Sequence, residues 1–523
     1  QDVGQQDELA RLLARVARAY DGRGAEEVAG RLADGLARGG LRVLISGSRF
    51  TSYVRHAAAD LAASLRAMGH EALIVSEPSA SDVLASPAYA RAVGEFVPDV
   101  VVVANYGRAS LANVVPECVP IVCWVQDAME HLFDPKLVRA AGPLDVFIGY
   151  SFTGALADPA LEGRRVLTTV PASEIKFHPG PVPDGARERH GADMVFISNH
   201  GEPPEVLRDR LIAGLGGTPV ARRLMEAVWS AANRLVAEAA TRRIWTRLDE
   251  EMSAAFRSVA GRAPQGAELG NCVHQMLVPL VGRLFRHEGV RWAARLAERN
   301  GWTLRLHGTG WSEAPEFARY AAGPIEHGEE LRACYQSAAV TLHLDPNTLT
   351  HQRVLEAALS GGLPAARFCA DALGPLETLA FDQVRRDAEP ERRLPDGRLW
   401  YQAVDSEAGL RLLDLKQRLG VPVWPRMCAS PEEPLPAEPP EARSGSDPAF
   451  LYGDLAELSF ADEAGLERLV ARARGDAAWR SRWSSIVRSR ALEVGSTRAF
   501  ASRMLALCHR AAERAAAPAG VCG

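Results

Sequence analysis

The residues whose side chains are best suited to binding or catalysis lie between positions 340 and 367. An apolar run ends there in a polar turn, and a short helix with Arg353 and Glu356 follows. The turn supplies hydroxyl, amide and imidazole groups on Asn347, Thr348, Thr350 and His351. The N-terminus of a helix favours phosphate, because its free N–H groups and its dipole point at the ligand. The spacing therefore predicts a phosphate-binding turn assisted by Arg353.

Simpler interpretations of the same residues stay open. Thr350 belongs to the residue types that cap a helix N-terminus, so the turn could serve the helix alone. Arg353 and Glu356 are three positions apart, which allows a surface ion pair worth roughly a few tenths of a kcal/mol.

Other turns that follow predicted strands are candidate contacts to the same ligand. Their residues are His307, Gly308, Gly310, Asn199, His200 and Gly323. The glycines allow the backbone to approach a nucleotide base, although they could also simply make turns. Asn199 and His200 are predicted to contact a pyrophosphate, and Gly323 is predicted to pair its backbone with the edge of the base.

A second set of residues lies in the first half of the chain. Asp127 ends an apolar run, and His131 lies one helical turn later. Either could act as the general base that an inverting transfer to a hydroxyl requires, although Asp127 could instead cap the following helix. Gly47 and Arg49 follow the first predicted strand, where they either border an acceptor or form a plain tight turn.

Apolar runs rich in Val and Ile position these turns. Runs at 41–46, 99–105 and 120–127 alternate with helical spacers, which is typical of a parallel sheet buried on both faces. A proline-rich linker at 177–185 precedes a second group of such runs. We predict an α/β protein with two Rossmann-like domains that face a ligand-binding cleft.

The domain limits follow from the same pattern. We predict an N-terminal helical extension at 1–40 and a first Rossmann-like domain at 41–180. A second such domain is predicted at 190–201 and 301–475. The added parts are a helical insertion at 202–300, an irregular proline-rich insertion at 370–448 and C-terminal helices at 476–523, of which 477–516 is predicted as one long helix.

The composition excludes several classes of protein. The net charge of −5 gives no bulk attraction to nucleic acid. Eight cysteines form no C-x-x-C pair, which argues against a structural zinc site and favours the reducing cytoplasm. No apolar run is long enough to span a bilayer. The sequence has no G-x-S-x-G, P-loop or G-x-G-x-x-G motif, so hydrolase, ATPase and dehydrogenase interpretations lose support. The oligomeric state stays open.

The order and spacing of four motifs resemble the GT-B class of glycosyltransferases, within its spore-maturation-type, group 1 branch. The motifs are VCWVQD at 122–127, EIKFHP at 174–179, LHGTGW at 306–311 and RVLEAALSGGLP at 353–364. The resemblance implies a bacterial, cytoplasmic enzyme of EC 2.4 type. It would transfer a sugar from a nucleotide diphosphate to a glycan, protein or small-molecule acceptor, without a metal or other cofactor.

The resemblance also implies roles for the two domains and for single residues. The first Rossmann-like domain, 41–180, would bind the acceptor, and the second, 190–201 and 301–475, would bind the donor. Glu356 matches a glutamate that binds the ribose of the donor in related transferases. Related retaining enzymes often carry a second glutamate eight positions earlier, where this chain has Thr348. The choice between retention and inversion therefore stays open. Two other functions also stay open: a sugar-nucleotide epimerase on the same fold, and a non-catalytic binding protein.

Overall fold

The computed structural model describes residues 2–49, 51–77, 86–111, 114–126, 129–149, 156, 158–372 and 448–517. Asp127 lies outside these residues, as does the proline-rich range 370–448 apart from its first three residues and its last. The chain divides into two compact units. Among the described residues, the first unit holds 2–177 and 491–517, and the second holds 178–372 and 448–490.

The first unit is built on a six-stranded sheet in which every strand pair is parallel. Its strands are β1 (Arg42–Ser46), β2 (Glu71–Val75), β3 (Val100–Ala104), β4 (Ile121–Val125), β5 (Val146–Gly149) and β6 (Arg165–Leu167). They are ordered β2-β1-β3-β4-β5-β6. β4 is buried along its whole length, as expected for Val- and Ile-rich strands that are covered on both faces.

Helices cover this sheet, and two of them come from the predicted N-terminal extension. The helices are α1 (Asp2–Ala19), α2 (Ala25–Arg38), α3 (Ser52–Ala67), α4 (Ser86–Phe96) and α5 (Pro135–Arg139). α1 packs on α4. α2 and α3 pack on a helix from the other end of the chain, α18 (Thr497–Ala516). In this layer the ring of Phe500 lies 4.7 Å from that of Trp124.

The second unit contains another six-stranded parallel sheet. Its strands are β7 (Ala192–Ile197), β8 (Leu304–His307), β9 (Ala321–Gly323), β10 (Ala338–His343), β11 (Pro364–Arg367) and β12 (Ser459–Phe460). They are ordered β12-β11-β10-β7-β8-β9. Counted from β7, this is the order 6-5-4-1-2-3 of dinucleotide-binding folds. The predicted α/β class with two Rossmann-like sheets is therefore confirmed, although β9 was not anticipated.

The remaining helices belong to this second half of the chain. They are α6 (Ala186–His190), α7 (Pro204–Gly214), α8 (Pro219–Ala237), α9 (Leu248–Ala260), α10 (Gly266–Cys272), α11 (Val278–Asn300), α12 (Glu329–Ser337), α13 (Gln352–Leu359), α14 (Pro448–Tyr452), α15 (Leu455–Leu458), α16 (Glu463–Gly475) and α17 (Ala477–Val494). α11 ends the predicted insertion 202–300 and leads into β8. Its Gly289 lies against the side chain of Leu344, next to β10. α11 therefore packs on the second sheet and belongs to its helical layer.

The prediction of one long helix over 477–516 was wrong. The helix is interrupted after Val494, and α18 restarts at Thr497. The Ser496 hydroxyl accepts a hydrogen bond from the N–H of Ala499, which is the bond of an N-cap. Gly495 and Ser496 therefore divide a helical pattern that periodicity alone joined.

Candidate functional site

The order of the second sheet marks where a ligand has room to bind. β7 is flanked by β10 on one side and by β8 on the other, so the connections of these neighbours leave on opposite sides of the sheet. Between them, at the carboxyl ends of the strands, lies the topological switch point, where open α/β sheets bind their ligands. The turns that meet there are 198–201 after β7 and 344–351 after β10.

Three arginines converge on this switch point. Arg283 and Arg286 lie on α11, one turn apart, and Arg353 is in the first turn of α13. A Cβ added to Gly201, after β7, would lie 2.0 Å from a terminal nitrogen of Arg283, so that guanidinium covers the end of the β7 turn. Sequence analysis found Arg353 and missed the other two.

The three guanidinium groups carry uncompensated charge. Within the described part of the chain, none of them forms an ion pair or a side-chain hydrogen bond, and Nε of Arg286 is buried without a partner. Burial, followed by the charges of Arg353 and Arg283, lowers the pKa of Arg286 to about 10, and Asp345 only partly offsets this. Like charges held together in a half-buried place favour an anionic ligand.

The turn after β10 is held by its own side chains. Asp345 Oδ1 accepts hydrogen bonds from the backbone N–H and the side-chain amide of Asn347, at 2.8 and 2.7 Å. The hydroxyl of Thr348 accepts from the N–H of Thr350 at 2.9 Å. These bonds fix the shape of the turn, and they also occupy two of the N–H groups that were predicted to hold phosphate.

The helix α13 is capped by His351 and not by Thr350, so that simpler interpretation was wrong. Nδ1 of His351 accepts from the N–H of Arg353 at 3.3 Å. Burial, followed by the charge of Arg353, lowers the pKa of His351, which keeps the ring neutral and able to accept. The imidazole of His343 is buried beside it and bonds to the Thr348 carbonyl at 2.7 Å.

Glu356 is buried, so its surface ion pair with Arg353 does not form. One carboxylate oxygen accepts from Nε2 of Gln352 at 2.8 Å and lies 3.2 Å from Nε2 of His327. The other accepts from the hydroxyl of Tyr335 at 3.0 Å. Of the roughly four lone-pair positions of a carboxylate, about one is left for a ligand hydroxyl.

The turn after β8 packs tightly on the turn after β7. Gly308 has φ +130°, and a Cβ there would lie 2.4 Å from the carbonyl oxygen of Ser198, so only glycine fits. Gly310 has φ +85°, which disfavours other residues, and a Cβ there would lie 3.2 Å from Cβ of His200, a tight contact. These contacts explain both glycines without a ligand. Gly323 differs, because nothing lies within 4 Å of the place a Cβ would occupy.

The two histidines of these turns are buried. The ring of His200 packs against that of His287 of α11, with centroids 4.7 Å apart and the ring planes tilted by 54°. His307 faces the carbonyl of Gly323, with 3.3 Å between Nδ1 and the oxygen. Asn199 is exposed, and its side-chain oxygen accepts from the N–H of Thr309 at 3.0 Å. Of these three side chains, only that of Asn199 is presented to solvent.

In the first unit, the structure describes three of the four predicted acceptor-side residues. Gly47 donates its N–H to the carbonyl of Val75, and Arg49, which is exposed, donates its N–H to Glu77 at 2.8 Å. His131 stacks on Tyr106 at 4.8 Å. Its Nε2 lies 2.5 Å from the carbonyl oxygen of Asn105. A carbonyl only accepts, so Nε2 carries the proton and Nδ1 is the basic atom.

A cavity of the second unit lies elsewhere, at the amino ends of the strands. It has a volume of about 740 Å³ and is lined by Asp193, Arg474, Arg480 and their neighbours. Of its arginines, Arg474 pairs with Asp193 at 2.6 Å, Arg480 donates to the Ala473 carbonyl at 3.0 Å, and Arg187 is exposed to solvent. Topology and the half-buried charge without a partner favour the opposite edge, which we take as the candidate site.

Arg283 and Arg286 were missed because the sequence places them in a helical block with many other arginines. Alternating charges on a helix are most simply a solvated face. The available signal was their spacing of three on the helix that immediately precedes β8, because a crossover helix packs on the sheet.

The comparisons with known proteins find a likeness in solved structures, and that likeness is distant. No protein-family model matches the chain, and no curated protein matches it. Among solved structures, the chain is similar to sucrose-phosphate synthase from Thermosynechococcus elongatus, with 11% sequence identity and a TM-score of 0.36. The match covers 89% of this chain and 97% of that chain. None of the described helices has both the length and the apolar composition needed to cross a bilayer.

Proposed function

We propose that this chain is a glycosyltransferase that uses a nucleotide diphosphate sugar, with the diphosphate held by Arg283, Arg286 and Arg353. The observation that carries this proposal is three guanidinium groups at the switch point of a parallel sheet that have no carboxylate partner among the described residues. The GT-B resemblance of the sequence supplies the reaction class, and the arginines supply the chemistry that this class needs.

Glycosyl transfer leaves a nucleoside diphosphate behind, and the negative charge on its oxygens grows as the glycosidic bond breaks. Fixed positive groups lower the barrier when they are already aimed at that charge, since no reorganisation is then needed. Guanidinium groups also match phosphate geometry with two parallel N–H donors. Arginines on α11 and α13 would therefore do what a metal ion does in metal-dependent transferases.

The remaining donor contacts of the proposal lie around these arginines. The exposed side chain of Asn199 is proposed to reach the pyrophosphate, and Asn347 and Thr348 are proposed to line the turn beside it. The open space at Gly323 is proposed to admit the base. Glu356 is proposed to use its remaining lone-pair position for a ribose hydroxyl, while Tyr335 and Gln352 hold its carboxylate in place.

On the acceptor side, we propose that His131 or Asp127 removes the proton of the attacking hydroxyl. For His131, the hydrogen bond from Nε2 to the Asn105 carbonyl fixes the neutral tautomer that has its lone pair on Nδ1. Gly47 and Arg49 are proposed to border the acceptor. Retention or inversion, the sugar, the base and the acceptor are not part of the proposal.

A thermal-shift series with UDP, GDP and dTDP tests the diphosphate site, because a ligand that binds only the folded state raises Tm. Each nucleotide is compared with its monophosphate and its nucleoside. We expect at least one diphosphate to raise Tm clearly more than its monophosphate does, and the nucleoside to have little effect. Equal shifts within a series, or no shift with any diphosphate, would remove the basis of the proposal.

Two variants make the test specific. Arg353→Gln should lose the extra shift of the diphosphate, whereas Arg480→Gln, at the opposite edge of the sheet, should keep it. Slow hydrolysis of the donor without an acceptor would support a transferase, and its loss in Glu356→Ala would support the ribose contact. Interconversion of two sugar nucleotides would instead identify an epimerase, and nucleotide binding without either reaction would identify a binding protein.

A further inference from the structure

A second group of chemically capable side chains lies in the second unit. His190 is the last residue of α6, His307 is the last residue of β8, and Cys334 is on α12. One ligand atom of each residue lies within 4.8 Å of the ligand atoms of the other two. The three residues are far apart in the sequence, and they meet because α12 packs on α6.

The polar atoms of this group are unusually short of partners. His190, His307 and Cys334 are 6%, 3% and 0% exposed. Within the described residues, both ring nitrogens of His190 and Nε2 of His307 have no hydrogen-bond partner. An unsatisfied buried polar group costs about 1–3 kcal/mol. Three such nitrogens beside a thiol therefore favour the binding of a metal ion, which accepts lone pairs.

The orientation of His307 fits a metal ligand. Its Nδ1 lies 3.3 Å from the carbonyl oxygen of Gly323, so Nδ1 carries the proton and Nε2 presents its lone pair. Metal-binding histidines commonly donate their other N–H to a backbone carbonyl in this way, which fixes the tautomer. The direction of the ring is thus already set by the backbone of β9.

A fourth ligand is available on the same helix as the cysteine. Glu330 precedes Cys334 by four positions, which places both on one face of α12. Its Oε1 lies 3.8 Å from Nε2 of His190, too far for a hydrogen bond and close to the separation of two ligands on one ion. The carboxylate is partly exposed to solvent, and its other oxygen accepts a hydrogen bond from the N–H of Glu326 at 3.2 Å.

We propose that His190, His307, Cys334 and Glu330 form a structural binding site for Zn²⁺ or a similar borderline-soft divalent ion. Thiolate, imidazole and carboxylate are the ligands that zinc prefers, in a tetrahedral arrangement. Tetrahedral ligands at normal zinc distances are roughly 3.3–3.7 Å apart. His190, His307 and Cys334, whose ligand atoms lie within 4.8 Å of one another, would contract by up to roughly 1.1–1.5 Å at their widest pair, and Glu330, which lies outside that group of three, would also have to move inward. This inference does not rest on the proposed glycosyl transfer.

The charges agree with this assignment in one respect and oppose it in two. Burial lowers the pKa of both histidines, so their rings are neutral as ligands must be. Burial raises the pKa of the Cys334 thiol to about 12, so the ion must displace a proton, which leaves to solvent as the metal–sulfur bond forms. Arg305 is the opposing cation, but its Nε donates to the Gly191 carbonyl at 3.1 Å.

The proposed metal site would help to hold the candidate donor site in place through α12. It joins α6, the end of β8 and α12, and α12 also carries Tyr335, whose hydroxyl bonds to Glu356. The sequence argued against zinc because it has no paired cysteines. The proposed ligands come from two helices and a strand, so they form no short sequence motif from which the site could be predicted.

Titration of the chelator-treated full chain with Co²⁺ tests the proposal, because tetrahedral Co²⁺ with a thiolate ligand absorbs in the visible and gives a sulfur-to-metal band in the near ultraviolet. We expect both bands to saturate at one ion per chain and to disappear when Zn²⁺ is added. Absence of the sulfur-to-metal band in the wild-type chain would overturn the proposal.

Variants assign the ligands. Cys334→Ser should abolish the sulfur-to-metal band, and His190→Gln should weaken Co²⁺ binding at least tenfold while keeping that band at saturation. The matched controls are Cys272→Ser and His274→Ala, on and just after α10, which should bind as the wild type does. Persistence of the full band in Cys334→Ser would reject the site. If that variant does not fold, the His190→Gln titration decides, and unchanged affinity there also rejects it.

Discussion

The two edges of the second sheet contain similar side chains in opposite electrostatic situations. At the amino edge, Arg474 pairs with Asp193 and lies over the ring of Trp302, and Arg480 donates to a backbone carbonyl. At the carboxyl edge, Arg286 has neighbours of its own sign and no partner in the described chain. A cavity of about 740 Å³ lies at the amino edge, and the half-buried charge without a partner lies at the carboxyl edge.

This difference indicates that the presence of a cavity and the capacity to bind an anion depend on different features of the structure. A guanidinium that is already paired gives up an existing interaction when an anion arrives, so its net contribution to binding is small. A half-buried guanidinium without a partner gains its full interaction with the anion. The cost of desolvating and crowding its charge is already present in the free protein. Four predictions test this contrast, from the largest expected effect to the smallest.

Lowering the pH should destabilise the carboxyl edge of the second sheet before its amino edge. Burial, followed by the charge of His200, lowers the pKa of His287 on α11 to about 3. The unfolded chain takes up this proton near the ordinary value of 6.5, and the folded chain only near 3. Lowering the pH through that window therefore destabilises the fold, by about 1.4 kcal/mol per pH unit for each such group.

Hydrogen exchange at decreasing pH measures this effect. Peptides covering 283–290 and 343–353 should lose protection first, because buried His343 and His351 also have lowered pKa values. The segment 474–484, which contains no histidine, is the control. Earlier loss of protection in that control segment would contradict the prediction.

Arg286→Ala should weaken nucleoside diphosphate binding by about 1.5–3 kcal/mol, which is roughly 10- to 150-fold in Kd. The reason is the loss of a charge-assisted contact in a half-buried place. Isothermal titration with the diphosphate that gives the largest thermal shift provides the number. Arg480→Ala should leave Kd within about twofold, and a comparable loss in both variants would erase the contrast between the edges.

Without any ligand, Arg286→Met should stabilise the protein by about 1–2 kcal/mol. The substitution removes a desolvated charge that two other arginines repel, and methionine fills most of its volume. Denaturant unfolding in phosphate-free buffer measures the change. A loss of stability would mean that Arg286 is compensated in the free protein, which would weaken the case for an anion site.

Arg474→Met should have the opposite sign and the smallest size. It removes an ion pair with Asp193 and the contact with Trp302, both partly exposed, so the loss should stay below about 1 kcal/mol. The same unfolding measurement serves, and the loss should shrink at high salt because exposed pairs are screened. A gain in stability here would contradict the prediction.

Much of the fold was predictable from local pattern. Runs of Val and Ile identified most strands, and Gly69 and Gly301 ended helices with positive φ, as glycine does after a helix. The pattern failed where the deciding interaction was tertiary or very short. β9 has only three residues with small side chains, and the break at Ser496 depends on one hydroxyl in an otherwise helical run.

The sequence by itself determined that this is an α/β chain with a polar turn and Arg353 after a buried strand. Period and turn chemistry act over a few residues, so they can be read without a structure. Only the tertiary structure decided that Arg283 and Arg286 face the same switch point as Arg353, and that His190, His307 and Cys334 share one buried place. Those juxtapositions depend on strand order, which places residues from distant segments side by side and leaves no trace in local spacing.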